Sequence, residues 1–140
     1  MSANCFVDSN ILIYAHDTEA GRKREVARLS LQELWETNSG VLSTQVLQEF
    51  YVNVTRKIPR PLDRSTARDI VHQYRAWPVV AIDPEMICRA SELEERCQLS
   101  FWDAMIVTAA RTSRADMLLT EDLNPGQMID GVRVHNPFLD

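Results

Sequence analysis

Ser100-Phe101-Trp102-Asp103-Ala104-Met105-Ile106-Val107 opens a segment that is apolar nearly all round from Ala104 to Ala110. A helix with no polar face is a helix buried at the centre of a domain. One carboxylate, Asp103, falls in its first turn, and Ser100 three residues earlier fits an N-cap. Asp103 has two readings. In one it completes a capping box, satisfying backbone N–H groups and the helix dipole. In the other it acts chemically, which requires further carboxylates brought to the same point by other elements.

Upstream, Asn4-Cys5-Phe6-Val7 is a short apolar run that ends in Asp8, and Ser9-Asn10 leads at once into Ile11-Leu12-Ile13-Tyr14-Ala15. The pattern predicts a buried strand with Asp8 at its carboxyl end, followed by a helix. Open α/β sheets bind ligands in the crevice beyond those carboxyl ends. Asp8 is equally placed to be the N-cap of that helix. Gly21 to Asn38 predicts an amphipathic helix with Ala27, Leu31, Leu34 and Trp35 on one stripe, ended by Gly40. Val41-Leu42 predicts a second strand, leading through Ser43-Thr44 into a helix with a Val46, Leu47, Phe50, Val54 stripe. Gln45, Glu49 and Asn53 form a polar row beside that stripe. Glu49 lies about 1.5 turns inside the helix, too deep to be a cap, although a solvent-facing glutamate would look the same.

Ile58-Pro59-Arg60-Pro61 breaks the chain. Asp63 or Ser65 then caps a helix that Pro78 stops. Val79-Val80-Ala81-Ile82 predicts a third strand, and Asp83-Pro84 the start of a helix running to Cys97. Met117-Leu118-Leu119-Thr120 predicts a fourth strand, closed by Glu121-Asp122 and the turn Asn124-Pro125-Gly126. Val132-Arg133-Val134-His135 alternates as a last edge strand. Strands alternating with helices predict a three-layer α/β/α sandwich, a central parallel sheet of four to five strands covered on both faces.

The 140 residues suggest one domain, and 45% hydrophobic content with 25% charged residues describes a globular chain able to bury a core. No apolar run approaches the roughly 20 residues needed to span a bilayer, and the N-terminus lacks a basic segment followed by an apolar one. The expected location is the cytoplasm. Cys5, Cys88 and Cys97 lack metal-ligand spacing and read as small buried side chains. His16, His72 and His135 lack the neighbours of ligands or bases, Trp35 and Trp77 read as core or interface, and Trp102 reads as a core anchor rather than a base-stacking platform. The net charge of −5 predicts no nucleic-acid partner by itself. Two basic clusters, Arg22, Lys23, Arg24, Arg28 and Arg56, Lys57, Arg60, Arg64, read first as solvated surface.

Three placements converge. Asp8 ends the first strand, Asp122 follows the fourth, and Asp103 begins the helix before that fourth strand; Glu49, after strand two, can reach the same edge. Carboxylates gathered within a few ångströms raise one another's pKa, which implies a divalent cation. Oxygen ligands without nearby Cys or His select Mg2+ or Mn2+ over zinc. Such ions suit phosphoryl chemistry, orienting a water and stabilising a leaving oxygen.

Phe6-Val7-Asp8-Ser9-Asn10, Val46-Leu47-Gln48-Glu49-Phe50, Ser100-Phe101-Trp102-Asp103-Ala104 and Leu119-Thr120-Glu121-Asp122-Leu123 resemble the four acidic motifs of PIN-domain ribonucleases. In length and spacing the chain resembles the VapC toxins of type II toxin–antitoxin modules, from about Cys5 to the C-terminus. The resemblance implies a single PIN-like domain over residues 1–140 and a metal-dependent endoribonuclease that cleaves single-stranded RNA. It further implies inhibition by a small antitoxin, a homodimer and no membrane partner. Asp8 and Asp103 would be the main Mg2+ ligands, Glu49 a ligand or water-positioning base, and Asp122 the closing acid of the pocket; Ser9 and Asn10 match positions that shape the metal site. Glu121 departs from the pattern by standing beside Asp122, and short α/β turns favour Asp122 as the inward side chain.

Two other classes compete. A phospho-acceptor receiver also gathers acids and Mg2+ at strand ends, but it wants two adjacent acids after the first strand and a late lysine. Here Asp8 stands alone and no lysine follows Lys57. A non-catalytic binding scaffold would use the carboxylates as helix caps only.

Overall fold

The computed structural model describes residues 4–140. In chain order the elements are β1 (Cys5–Val7), α1 (Ser9–His16), α2 (Arg22–Thr37), β2 (Gly40–Ser43), α3 (Thr44–Arg56), α4 (Arg64–Tyr74), β3 (Val79–Val80), α5 (Pro84–Cys97), α6 (Phe101–Thr112), β4 (Met117–Leu119), β5 (Met128–Ile129) and β6 (Val132–His135), with a 3-10 turn at Pro137–Leu139. The strands lie in the order β3-β2-β1-β4-β6-β5. All neighbouring pairs are parallel except β5 with β6.

The topology follows from handedness. The chain moves outward from β1 to β2 to β3, so right-handed crossovers carry α1 to α4 over one face; the return from β3 to β4, on the far side of β1, carries α5 and α6 over the other. This is the three-layer α/β/α sandwich that the alternation predicts. Phe6, Val7, Leu42 and Leu118 are fully buried at its centre, and every residue of α6 from Ala104 to Ala110 is buried. Side-chain caps start five helices: Asp8, Ser43, Asp63, Asp83 and Ser100 each accept a backbone N–H from the first turn that follows. Asp63, not Ser65, caps α4. Among the described residues no helix is long and apolar enough to cross a membrane.

Several expectations are corrected. The parallel part of the sheet has five strands, within the expected four to five, but a sixth, antiparallel strand extends it and β6 is not the edge: β5 pairs outside it, Ile129 opposite Val132. The two residues between them, Asp130 and Gly131, have φ of 50° and 82°. Asp-Gly with both φ positive is the two-residue hairpin loop that matches strand twist. β3 stops at Val80, because the Ile82 N–H bonds the Thr44 hydroxyl at 3.3 Å instead of a strand. Asn38, in the left-handed region, ends α2, while Gly40 lies within β2. Cys5 is buried as expected, but Cys88 is exposed and Cys97 half-buried.

Trp102 is not a core anchor: it is 64% exposed. In a β-α-β unit the helix runs antiparallel to the strands, so the N-terminus of α6 reaches the edge where strands end, and burial begins only at Ala104. Trp77 is buried against Trp35 and Tyr74, with ring centroids 5.1 Å from each. A Cβ on Gly40 would run into the Trp77 ring. Gly40→Ala is therefore expected to lower stability by about 1–3 kcal/mol through overpacking, read as a drop in the denaturation midpoint; an unchanged midpoint would show that the indole moves aside freely.

Candidate active site

The strand order reverses its direction of travel at β1 and β4, and the crevice beyond the carboxyl ends of strands at such a point is where this class of sheet binds ligands. Asp8 directly follows β1, and Thr120-Glu121-Asp122 directly follows β4. The first turns of α3 and α6 open on the same edge, because each helix runs back against the strands. The four acids predicted from sequence are thus delivered by four separate elements.

Asp8 is 4% exposed. Its Oδ1 accepts the Ser9 N–H at 2.7 Å and lies 3.4 Å from the Ser9 hydroxyl; its Oδ2 accepts the Thr120 hydroxyl at 2.8 Å and faces the Asn10 amide at 3.5 Å. The same Asn10 amide donates to Asp122 Oδ2 at 3.0 Å and to Thr120 Oγ1 at 3.2 Å. Thr120 in turn accepts the Asp122 N–H at 3.1 Å. Ser9 Oγ lies 3.1 Å from Glu49 Oε1, and Gln45 Nε2 reaches Glu49 Oε2 at 3.5 Å and the Trp102 carbonyl at 3.4 Å. Small neutral side chains therefore link Asp8, Asp122 and Glu49, and Gln45 ties the Glu49 turn of α3 to the first turn of α6.

Asp103 is half-buried. Ser100 Oγ accepts its N–H at 3.1 Å, so Ser100 is a true cap, but no bond returns from the Asp103 carboxylate to the Ser100 N–H. The backbone half of the capping box is absent, and of the cap only the Ser100 side chain bears on the carboxylate.

The surroundings shift the aspartates. Burial pushes Asp8 up to about 7, against its bonds from Thr120 and Ser9, with Asp122 and Glu49 adding repulsion. Burial also raises Asp103, opposed by Ser100 and helped by the charge of Asp122. The charge of Asp122 thus bears on both other aspartates. Its neighbour Glu121 turns away: it accepts from the Tyr14 hydroxyl and pairs with Lys23 Nζ at 2.9 Å, and that ammonium also stands 4.9 Å from the Tyr14 ring centroid.

Thr120 and the Tyr14–Lys23 pair were not singled out from the sequence, and Gln45 only as a member of the polar row with Glu49 and Asn53, the four-residue spacing through which it meets Glu49. Thr120, fully buried, stands two residues before Asp122, the spacing of a hydroxyl that bonds backbone two residues on, which is the one local signal it carried. The Tyr14–Lys23 pair is a tertiary partner of Glu121 without a local signature. Among the described residues none of the histidines joins the cluster: His16 stacks edge-on with Phe50, His72 meets Arg75, and His135 meets Asp140.

All donors at this edge are oxygens, and Asn10 Oδ1 is buried without a hydrogen-bond partner. That chemistry fits a hard divalent cation. No three Asp, Glu, His or Cys side chains among the described residues close round a point on their own. An ion here would rest on one or two carboxylates, with water and ligand oxygens supplying the remainder, which is the coordination Mg2+ favours.

The raised Asp8 has a measurable sign. Between the ordinary aspartate value and about 7 the folded chain holds a proton that the unfolded chain releases, so stability falls as pH rises through that window and levels off above it. Asparagine caps a helix as well as aspartate. In metal-free protein, Asp8→Asn is expected to be near neutral at pH 4 and to raise the melting temperature by roughly 5–10 °C at pH 8. Millimolar Mg2+ at pH 8 should then raise the wild-type midpoint and leave the variant's unchanged; equal behaviour of the two proteins at both pH values would remove Asp8 from the centre of the site.

A family model described as the PIN domain matches residues 5–128. No curated protein matches the chain. Among solved structures, a chain of a toxin–antitoxin complex from Klebsiella pneumoniae is 21% identical with a TM-score of 0.68, covering 96% of this chain and 98% of that one. Mycobacterium tuberculosis VapC20, described as a sarcin-ricin loop cleaving toxin, is 17% identical with a TM-score of 0.61, covering 82% and 87%. A chain of DNA-bound VapBC from Salmonella typhimurium is 18% identical with a TM-score of 0.64, covering 97% and 99%. At such identities the likeness is one of fold. The family model spans most of the chain, from β1 through β4, and with four acids at the carboxyl edge of its sheet this chain belongs to the PIN-domain family.

Proposed function

We propose that this protein is a divalent-metal-dependent endoribonuclease that acts as the toxin of a toxin–antitoxin pair. The observation that carries the reading is the buried Asp8, linked through Ser9 to Glu49 and through Asn10 and Thr120 to Asp122, at the edge where α6 presents Asp103. A cluster of acids at a ligand-binding edge is tolerated when a cation occupies it. Asp8 and Asp103 are the assigned holders of Mg2+ or Mn2+, with Asp122 completing the acidic wall. The bound ion supplies positive charge to the attacked phosphodiester and lowers the pKa of water. Glu49, half-buried and held through Ser9 and Gln45, orients the attacking water and accepts its proton. Asn10 and Thr120 fix the directions of Asp122 and Asp8 and carry no charge of their own.

The partner belongs to the same proposal. The Klebsiella and Salmonella neighbours are chains of toxin–antitoxin and VapBC assemblies, which supports a small antitoxin that silences this chain; a homodimer as the active form is part of the proposal and rests on the family resemblance alone. RNA as substrate is supported by the acidic motifs and by the name of the cleaving toxin among the neighbours.

The test is cleavage of single-stranded RNA by purified protein with Mg2+ or Mn2+. Asp8→Asn and Asp103→Asn are each expected to lower the rate at least about 100-fold, with the fold retained by circular dichroism. A chelator should stop the wild type, and added Mn2+ should restore it. Expression without a partner should arrest growth in the wild type and spare it in Asp8→Asn. RNA left intact by the wild type, or cleavage that persists in Asp8→Asn or in chelator, overturns the reading.

A further inference from the structure

Beside the acidic cluster, α3 and the start of α6 enclose an open cavity of about 380 Å3 lined by Gln45, Gln48, Glu49, Asn53, Lys57 and Trp102. Glu49 is common to this cavity and to the candidate active site, so whatever fills the one abuts the other.

Three features of the cavity point to one kind of occupant. Trp102, in the first turn of α6 where burial has not begun, is 64% exposed and lines the cavity. Its neighbour Phe101 stands edge-on at 5.2 Å and holds the indole from one side. Gln45 is 6% exposed, and its amide nitrogen is shared between Glu49 and the Trp102 carbonyl while its Oε1 is buried with no partner. A buried amide oxygen left unbonded costs about 1–3 kcal/mol, and an N–H donor arriving in the cavity would recover it. Lys57, at the end of α3, is exposed and has no ion-pair partner among the described residues. The cavity thus offers a flat aromatic face, a buried acceptor and a free cation. A nucleotide offers the matching groups: a stacking base, an N–H on the base edge and a phosphate.

We propose that this cavity is a nucleotide subsite, in which one base of single-stranded RNA stacks on Trp102, donates to Gln45 Oε1 and leaves its phosphate near Lys57. The inference rests on the ribonuclease reading and deepens it, because the subsite adjoins Glu49 and sets which nucleotide lies next to the bond that is cut. Trp102 and Lys57 act as substrate-binding residues, and neither touches the reacting atoms. A second protein chain covering the indole is the competing occupant.

The experiment compares wild type with Trp102→Ala, Trp102→Phe and Lys57→Ala on a short single-stranded RNA at fixed Mn2+, and measures oligomeric state by sedimentation. Loss of one stacked base is expected to raise KM for Trp102→Ala roughly tenfold or more, with kcat within about threefold. Trp102→Phe should restore most of the affinity. Lys57→Ala should raise KM a few-fold and flatten its dependence on salt. In parallel, the RNA is titrated into wild-type protein with Ca2+ in place of Mn2+ while tryptophan fluorescence is followed; a quench that is lost in Trp102→Phe places the base on that indole. A KM unchanged in Trp102→Ala, a loss confined to kcat, or a change of oligomeric state in that variant overturns the subsite, the last by making Trp102 an interface residue. If the wild type cleaves nothing, the ribonuclease reading fails by itself, and the fluorescence titration still decides whether RNA stacks on Trp102.

Discussion

Desolvation of one carboxylate governs this edge of the molecule. Asp8 follows two strand residues, Phe6 and Val7, that have no solvent exposure at all, and the central position of β1 leaves its side chain only a narrow opening to water. An isolated charge in such a place is expensive enough that the group takes up a proton instead. The chain answers with the Ser9 N–H and the Thr120 hydroxyl, both shorter than 3 Å, and these do not suffice: burial still holds Asp8 near neutrality. On the proposed function the missing positive charge is a divalent cation supplied from outside the chain.

The neutral side chains set the geometry in which that happens. Ser9, Asn10 and Thr120 lie between the acids, so each carboxylate is aimed by a group that adds no charge to an already crowded field. Glu121 shows the same logic in reverse. It sits in the sequence where it could join the cluster, and Tyr14 and Lys23 on neighbouring helices draw it away, which leaves the charge of Asp122 to bear on Asp8 and Asp103. The basic residues of the α2 N-terminus owe their position to this task as much as to solvation: Arg22 binds the Phe138 carbonyl and Lys23 restrains Glu121.

The fold was legible in the sequence because periodicity and caps are local signals that agree here with the tertiary outcome. Apolar runs ending in Asp or Ser located strands and helix starts, and alternation then placed every βα junction on one edge, so that Asp8, Glu49, Asp103 and Asp122 could be drawn together before any coordinates. The misses were of two kinds. Asp130-Gly131 is a hairpin signal in plain view, but the strand before it, Met128–Ile129, is too short to show alternation, and this hides β5. Trp102 was misplaced for a different reason: apolar character says that a helix is buried but not where along its length the sheet beneath it ends. Gln45 and Thr120 owe their roles to partners 57 and 112 residues distant, separations at which pattern carries no information.

The acidic balance of the chain bears on how it could bind a polyanion. A protein of net charge −5 that grips RNA by its phosphates needs basic groups free to do so, yet many here are engaged: Lys23 with Glu121, Arg60 with Glu19, Arg89 with Glu85, Arg96 with Asp130. Lys57 is an exception at the site itself. On the proposed function, affinity must then come chiefly from stacking and from the divalent ion that bridges acids to phosphate, and only in small part from side-chain cations. Binding of that kind releases few counterions, so it weakens little as monovalent salt rises and steeply as the divalent ion is withdrawn. The same acids that make the empty site self-repelling thereby make substrate binding conditional on the metal, which couples recognition to catalytic competence without a moving part.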